Sequence, residues 1–386
     1  MGRLRQMFHS ALKFAVYKLL FPTAYHLGAV RKVRQKAVFV ELHGPSNNFG
    51  LLQDAIIQKG GYVVQEICLD YQKDSFSYYW RCVQMLWEVS NASHIFLNDS
   101  CRALGAFRMR KSSTMVQTWH ACGAFKKWGF SVAGKEYGEG CREMERYPYH
   151  RNYSLVTVSS QEVCWAYQEA FGAPSSVVRP LGVSRTDIYF RRSFCRDAKK
   201  AYEKEFPDAY GKKCILYAPT FRGTGGHAGS PGMVDYGYLQ KGLGEGYFFI
   251  EKRHPFVKEA LSVPKHLEGF VSESRGLTVE ELLCVADICV TDYSSVVFEY
   301  ALMGKPMLFF AYDLEEYYDN RGFYYDYKEF APGPIVQDTK GLQAAIEEAG
   351  RNPQKFQEQV AAFRLTFMSA CDGHATERIL QKAQIL

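Results

Sequence analysis

A chain of 386 residues is long enough for two α/β domains with separate cores, and 47% hydrophobic with 15% aromatic residues belongs to an ordered globular protein. Its eleven cysteines are odd in number, scattered and never spaced as Cys-x-x-Cys, which argues against a disulfide framework or a structural zinc and for a reducing compartment. The net charge of +6 gathers at one end: Arg3, Arg5, Lys13, Lys18, Arg31, Lys32, Arg34 and Lys36 all precede the first acidic residue, Glu41.

Within residues 1–36, Leu4, Phe8, Ala11, Leu12, Ala15 and Leu19 follow the three-and-four spacing of one helical face. The run carries Lys13 and Lys18 and stops at Pro22, too short and too charged to span a bilayer, and no clean small-residue cleavage site follows it. We read it as an amphipathic helix at an anionic membrane surface. A helix packed on its own domain is the alternative.

Short β-branched or aromatic runs then alternate with helical stretches. Strands are expected at Ala37 to Leu42, Tyr62 to Leu69, His94 to Asn98, Met115 to Trp119 and Leu155 to Ser159, with a last one through Val177, Val178 and Leu181. Helices are expected at Asn48 to Lys59, Tyr78 to Asn91 and Gln161 to Phe171. Residues 191–212, rich in Arg, Lys and Asp, hold a helical connector at most and mark the boundary. The alternation restarts with Cys214 to Ala218, Tyr247 to Glu251, Ile288 to Thr291 and Met307 to Phe310; Thr278 and Glu281 have capping-box spacing, and Gly304 with Pro306 stops the helix after Ser295. The fold class is therefore α/β, with two Rossmann-like doubly wound domains over 37–195 and 196–386, the last helix crossing back. Ligands of such folds sit at the carboxyl ends of strands.

Four segments begin at such ends. In the first, Trp119-His120-Ala121-Cys122-Gly123 leads to Lys126 and Lys127; an imidazole after a strand can take a proton from an attacking hydroxyl, and the lysines can meet phosphate. A histidine satisfied by a neighbouring carbonyl is the plain alternative. In the second, Tyr217-Ala218-Pro219-Thr220-Phe221-Arg222 offers a hydroxyl and a guanidinium for phosphate or ribose, ahead of a glycine-rich loop through Gly232 that lacks a P-loop ending. The third leaves a strand with His254 and Pro255, for which a mere turn is the stronger alternative. The fourth, Thr291-Asp292-Tyr293-Ser294-Ser295, opens a helix, where Ser294 or Ser295 caps it and turns N–H groups toward a diphosphate. Asp292 holds that turn or accepts from a ligand hydroxyl, and Glu299 reaches a ribose or faces solvent.

These segments, in this order, resemble the CDP-glycerol glycerophosphotransferase family of teichoic-acid synthesis. Further matches are Gly182-Val183-Ser184-Arg185-Thr186-Asp187, Arg321-Gly322-Phe323-Tyr324 and Asp372-Gly373-His374-Ala375-Thr376-Glu377-Arg378, so the likeness spans about residues 95–380. It departs from the common pattern at His120-Ala121-Cys122-Gly123, where many members have His-Gly-Thr-Pro, and at Ser184, where proline is common.

The resemblance implies a GT-B fold, with the acceptor handled by the first domain and the CDP-polyol by the second. It also implies a primase-like activity: glycerol phosphate passes from CDP-glycerol to undecaprenyl-pyrophosphate-linked GlcNAc-ManNAc, releasing CMP, at the cytoplasmic face of the bacterial membrane. His120 is then the candidate base, with Glu41 and Asp99 in reserve. His254 is the second catalytic candidate, steadying charge on the diphosphate as CMP leaves; His254, Thr220, Arg222, Asp292, Ser294, Ser295 and Glu299 attend the donor, and Lys126, Lys127, Glu41, Asp99 and Arg185 attend the acceptor. No metal site and no cofactor is expected, although the nucleotide can carry Mg2+. A short polymerase, a CDP-ribitol ribitolphosphotransferase and a GT-B sugar-nucleotide glycosyltransferase are the alternative enzymes. A nucleic-acid-binding module lacks a basic-aromatic pattern in the second half, and a non-catalytic membrane scaffold is the remaining rival.

Overall fold

Two parallel sheets of six strands each organise the computed structural model, which describes residues 2–386 except 45, 72–74, 136–137, 224–228, 230–233, 255–256 and 258, and except the side chains of 2–6 and 318–321. The chain divides into one unit of residues 1–121, 127–187 and 370–386 and a second of 122–126 and 188–369.

The first unit contains β1 (Arg34–Glu41), β2 (Val63–Cys68), β3 (Ala92–Leu97), β4 (Thr114–Gln117), β5 (Leu155–Thr157) and β6 (Val178–Arg179), in the order β2-β1-β3-β4-β5-β6. The last six residues of β1 are buried, the near-continuous apolar run of a parallel strand covered on both faces. Phe39 of β1 stacks on Phe96 of β3 at 4.6 Å. The helix Ala375–Lys382 adds Ile379 and Leu380 to this core, and Asp187 accepts from the N–H groups of Ala375 and Thr376 at 3.1 and 2.7 Å, capping that helix.

The second unit contains β7 (Lys213–Ala218), β8 (Tyr247–Glu251), β9 (Val271–Glu273), β10 (Ile288–Thr291), β11 (Met307–Phe310) and β12 (Ile335–Val336), in the order β12-β11-β10-β7-β8-β9. The edge strands β9 and β12 are absent from the sequence expectation, because three and two residues are too short to show a period. The stretch expected to be a connector holds a fourteen-residue helix, Arg192–Glu205, whose Ala198 and Tyr202 are buried; it lies wholly in the second unit. The capping box forms as expected, Thr278 accepting from the Glu281 N–H and Glu281 from the Thr278 N–H. Gly304 ends the helical segment after Ser295 in the left-handed conformation.

Strand order reverses between β1 and β3 in the first unit and between β7 and β10 in the second. These are the switch points, outside whose carboxyl ends doubly wound sheets bind ligands. Glu41 and Asp99 stand at the first, Thr220 and Asp292 at the second.

At the amino end, helix Gly2–Phe14 runs through a π-helical turn, Ala15–Leu20, into helix Phe21–Gly28. Pro22 does not stop it: the missing donor falls where the hydrogen-bond register changes from π to α. Val16, Tyr17, Phe21 and Tyr25 are buried and pack with Tyr79, Cys82 and Met85 of helix Phe76–Val89. The residues of the expected apolar face are exposed: Phe8, Ala11, Leu12, Ala15 and Leu19 lie outward, and Leu4 lies outside the described side chains. No described helix is long and apolar enough to cross a membrane.

Candidate functional site

The first unit brings its chemistry together at the ends of β1, β3 and β4. Three residues past the end of β4, His120 lies with its ring stacked on Trp119 at 4.3 Å and its side chain 47% exposed. Its Nδ1 is 3.1 Å from the Asn98 carbonyl and 3.8 Å from Asp99 Oδ2. A carbonyl only accepts, so Nδ1 carries the hydrogen and Nε2 presents its lone pair. The alternative drawn from sequence, a histidine held by a carbonyl, is thus realised at one nitrogen. Desolvation lowers the proton affinity of the ring, Asp99 and the Asn98 carbonyl raise it, and the charges of Arg185 and His43 lower it further. The imidazole is therefore neutral near pH 7, with a carboxylate beside it to steady the imidazolium once formed.

Arg185 joins this group: its Nη1 donates to the His120 carbonyl at 2.6 Å and to Asn48 Oδ1 at 2.8 Å. Glu41 is 2% exposed and accepts from Ser46 Oγ at 2.7 Å; burial pushes its carboxyl above the usual range. It braces the loop after β1 instead of standing open to solvent. His43, which sequence reasoning missed, places Nε2 3.5 Å from Asp99 Oδ2, so two imidazoles flank one carboxylate. Its only sequence signal is its position two residues beyond the end of β1.

The expected lysine pair is divided. Lys126 bridges to Phe323 in the second unit, its ammonium 5.2 Å over the Tyr317 ring, while Lys127 belongs to the first. Between them and His120, Gly123 passes over Phe298 in a left-handed conformation, where a Cβ would stand 2.1 Å from the ring.

In the second unit, Asp292 is buried and its Oδ1 accepts from the N–H groups of Thr220 at 2.8 Å and Tyr293 at 2.6 Å. One carboxylate thus ties the ends of β7 and β10 together. Arg222 chelates Asp313 through Nε at 2.6 Å and Nη2 at 2.9 Å, and pairs with Asp292 Oδ2 at 2.9 Å. The Tyr293 hydroxyl donates to the same Asp313 at 2.9 Å. The guanidinium expected to meet phosphate is paired with two carboxylates, Asp313 and Asp292. Ser295 is the residue before helix Val296–Tyr300 but makes no side-chain cap bond; Ser294 Oγ accepts from the Val296 N–H at 3.3 Å. The Thr220 hydroxyl is buried and has no hydrogen-bond partner among the described residues. Glu299 is 8% exposed, so it does not face solvent. His254 lies 4.7 Å from the Phe221 ring, with Pro255 and most of the glycine-rich loop outside the described residues. Among the described residues no group of three or more His, Cys, Asp or Glu side chains is placed to hold a metal ion.

Comparison with known proteins agrees with the arrangement of motifs. A model of the CDP-glycerol:poly(glycerophosphate) glycerophosphotransferase family matches residues 28–383. The teichoic acid poly(ribitol-phosphate) polymerase of Bacillus spizizenii is 37% identical over 78% of this chain and 48% of its own length, so the chain spans about half of that relative. The teichoic acid ribitol-phosphate primase of the same organism is 33% identical over 76% of this chain and 75% of its own. The fold is that of the wall teichoic acid polymerase TagF, which superposes with a TM-score of 0.76 at 23% identity over 98% of this chain and 97% of that structure. This chain belongs to the CDP-glycerol:poly(glycerophosphate) glycerophosphotransferase family.

Proposed function

We propose that the protein transfers polyol phosphate from a CDP-polyol to a hydroxyl of a lipid-linked acceptor in teichoic-acid synthesis, releasing CMP. The observation that carries this reading is His120, neutral, half-exposed, with Nδ1 on the Asn98 carbonyl and Asp99 alongside. The acceptor oxygen attacks the β-phosphorus in line as its proton passes to His120 Nε2. The bond from that phosphorus to the CMP oxygen breaks, and the electron pair leaves with CMP. Asp99 steadies the imidazolium. Donor binding is assigned to the second unit, where Thr220, His254 and the N–H groups at Ser294 and Ser295 supply donors for a diphosphate, and Arg222 keeps the strand ends in register. No covalent intermediate is required.

Ribitol is the first donor to test, because the two relatives described above are named as a poly(ribitol-phosphate) polymerase and a ribitol-phosphate primase. Glycerol, with priming of undecaprenyl-pyrophosphate-linked GlcNAc-ManNAc, is the second reading, favoured by the family description.

The acceptor is membrane-bound in this proposal, so the first unit docks on the inner leaflet. Met7, Phe8, Leu12, Leu19 and Leu20 form an exposed apolar face, and Phe76, Trp80 and Trp87 expose aromatic rings along one side of the helix packed beside it. Lys13 and Lys36 are spent in ion pairs with Glu143 and Glu88, whereas Lys32 and Arg34 are exposed. Each exposed cation contributes about 1 kcal/mol on an anionic leaflet.

The test is CMP release from CDP-ribitol, CDP-glycerol and a UDP-sugar, with bare and polyol-phosphate-primed lipid acceptors, followed by mass analysis of the product. Acceptor-dependent CMP from a CDP-polyol supports the proposal; one added unit on the bare acceptor means priming, and many on the primed acceptor mean polymerisation. CMP from neither CDP-polyol, or sugar transfer from the UDP-sugar, overturns it.

A further inference from the structure

We propose that Gln117 is a positioning residue whose buried amide aims His120 by clamping the two backbone segments that orient its ring. Gln117 ends β4 and is fully buried. Its Oε1 accepts from the Trp119 N–H at 2.9 Å, and its Nε2 donates to the Asp99 carbonyl and to the Tyr153 hydroxyl, both at 3.0 Å. A primary amide offers two hydrogens and a carbonyl, and all of them are used. Flipping the amide would set its NH2 against the Trp119 N–H and its oxygen against the Asp99 carbonyl, so one orientation is fixed.

The turn it holds is strained. Trp119, the residue before His120, has φ of +55°, a conformation that costs a bulky L-residue about 1–2 kcal/mol. The bond from its N–H to Gln117 compensates part of that cost. The same amide fixes the Asp99 backbone, one residue beyond the Asn98 carbonyl that accepts from His120 Nδ1. Both contacts that orient the imidazole thus trace to one side chain. The network extends inward: the Tyr153 hydroxyl, receiving from Gln117, lies 2.9 Å from His150 Nδ1. Burial among aromatic rings depresses His150 to about 3, which keeps that ring neutral.

The proposal rests on His120 acting as the base. Gln117→Met preserves length and removes all three hydrogen bonds. The expected result is a kcat lower by about 10–100-fold, with KM for the CDP-polyol within about twofold and one CDP-polyol still bound per chain by calorimetry. In a His120→Ala background the same substitution should change the residual rate by less than about twofold, because it acts through the missing ring. Tyr153→Phe, which leaves the Trp119 and Asp99 bonds in place, should lower kcat by about 3–10-fold and carries the test if Gln117→Met does not fold. Wild-type kcat in Gln117→Met, or in Tyr153→Phe where that variant stands in, overturns the proposal, as does an equal fall in both backgrounds. If His120→Ala keeps the wild-type rate, the base assignment falls and this proposal with it. If His120→Ala is inactive and Gln117→Met is not, this proposal alone falls.

Discussion

The carboxyl ends of the two sheets use charged groups in opposite ways. In the first unit, His120 is half-exposed, a single carbonyl holds one ring nitrogen, and the nearest carboxylate oxygen stands 3.8 Å away. In the second, Arg222 is bound by Asp313 through two nitrogens and paired with buried Asp292, which itself spans β7 and β10. Loose pairing leaves a group able to exchange a proton, whereas tight pairing spends the charge on geometry. In the proposed function this difference corresponds to proton transfer at the first strand ends and shape at the second.

The sharpest way to break this contrast is to remove the arginine. Arg222→Met leaves two carboxylates without their cation, and we expect a loss of about 3–5 kcal/mol in unfolding free energy by urea titration. A loss below about 1 kcal/mol would show that Arg222 is not structural and return it to the list of phosphate ligands.

The first unit should lose stability in acid through His150. Its folded ring is depressed to about 3 by burial, below the ordinary value of about 6.5. Between those values the unfolded chain binds the extra proton, so stability is full above about pH 6.5 and drains as the pH falls toward 3, on the order of 1–2 kcal/mol by pH 4 after solvent screening. His94, also lowered by burial, adds in the same direction. His150→Gln should flatten this part of the curve; an unchanged slope contradicts the assignment.

Asp99→Asn sharpens the comparison at the other end. Asp99 raises the proton affinity of His120, while desolvation, Arg185 and His43 lower it. Removing the carboxylate charge should therefore shift the acid limb of kcat/KM to lower pH and reduce kcat by about tenfold. A shift to higher pH would contradict the geometry. The smallest expected effect is at the surface: Phe8→Asp with Leu12→Asp should weaken sedimentation with anionic vesicles while leaving turnover of a soluble acceptor analogue unchanged. Equal binding by the double variant and the wild type would remove the membrane role of that face.

Most strands could be read from sequence because parallel strands buried on both faces are short apolar runs between polar turns, and β8, β10 and β11 occupy the spans expected for them. Strands β9 and β12, of three and two residues, were not expected. The capping box was legible because its partners lie three residues apart. The partners of Arg222 were not: Asp313 lies 91 residues on, and only the fold reveals that a strand-end guanidinium is already occupied. The same holds for Asp187, expected within a motif match and found capping a helix almost two hundred residues later. At the amino end, the spaced residues Phe8, Ala11, Leu12, Ala15 and Leu19 are exposed, while the buried face of Val16, Tyr17, Phe21 and Tyr25 passed unread because the π turn shifts its period. The His120 neighbourhood was legible in part: Asp99 and Arg185 were named as candidates, but not that Asp99 stands between two imidazoles.

The most direct test of the account is turnover and donor binding measured together for the wild type and His120→Ala. The account predicts that the variant binds CDP-polyol with wild-type affinity and stoichiometry by calorimetry, yet releases acceptor-dependent CMP at least about a thousandfold more slowly. A variant that binds donor and turns over within about tenfold of wild type would contradict His120 as the base and remove the division of labour between the two strand ends.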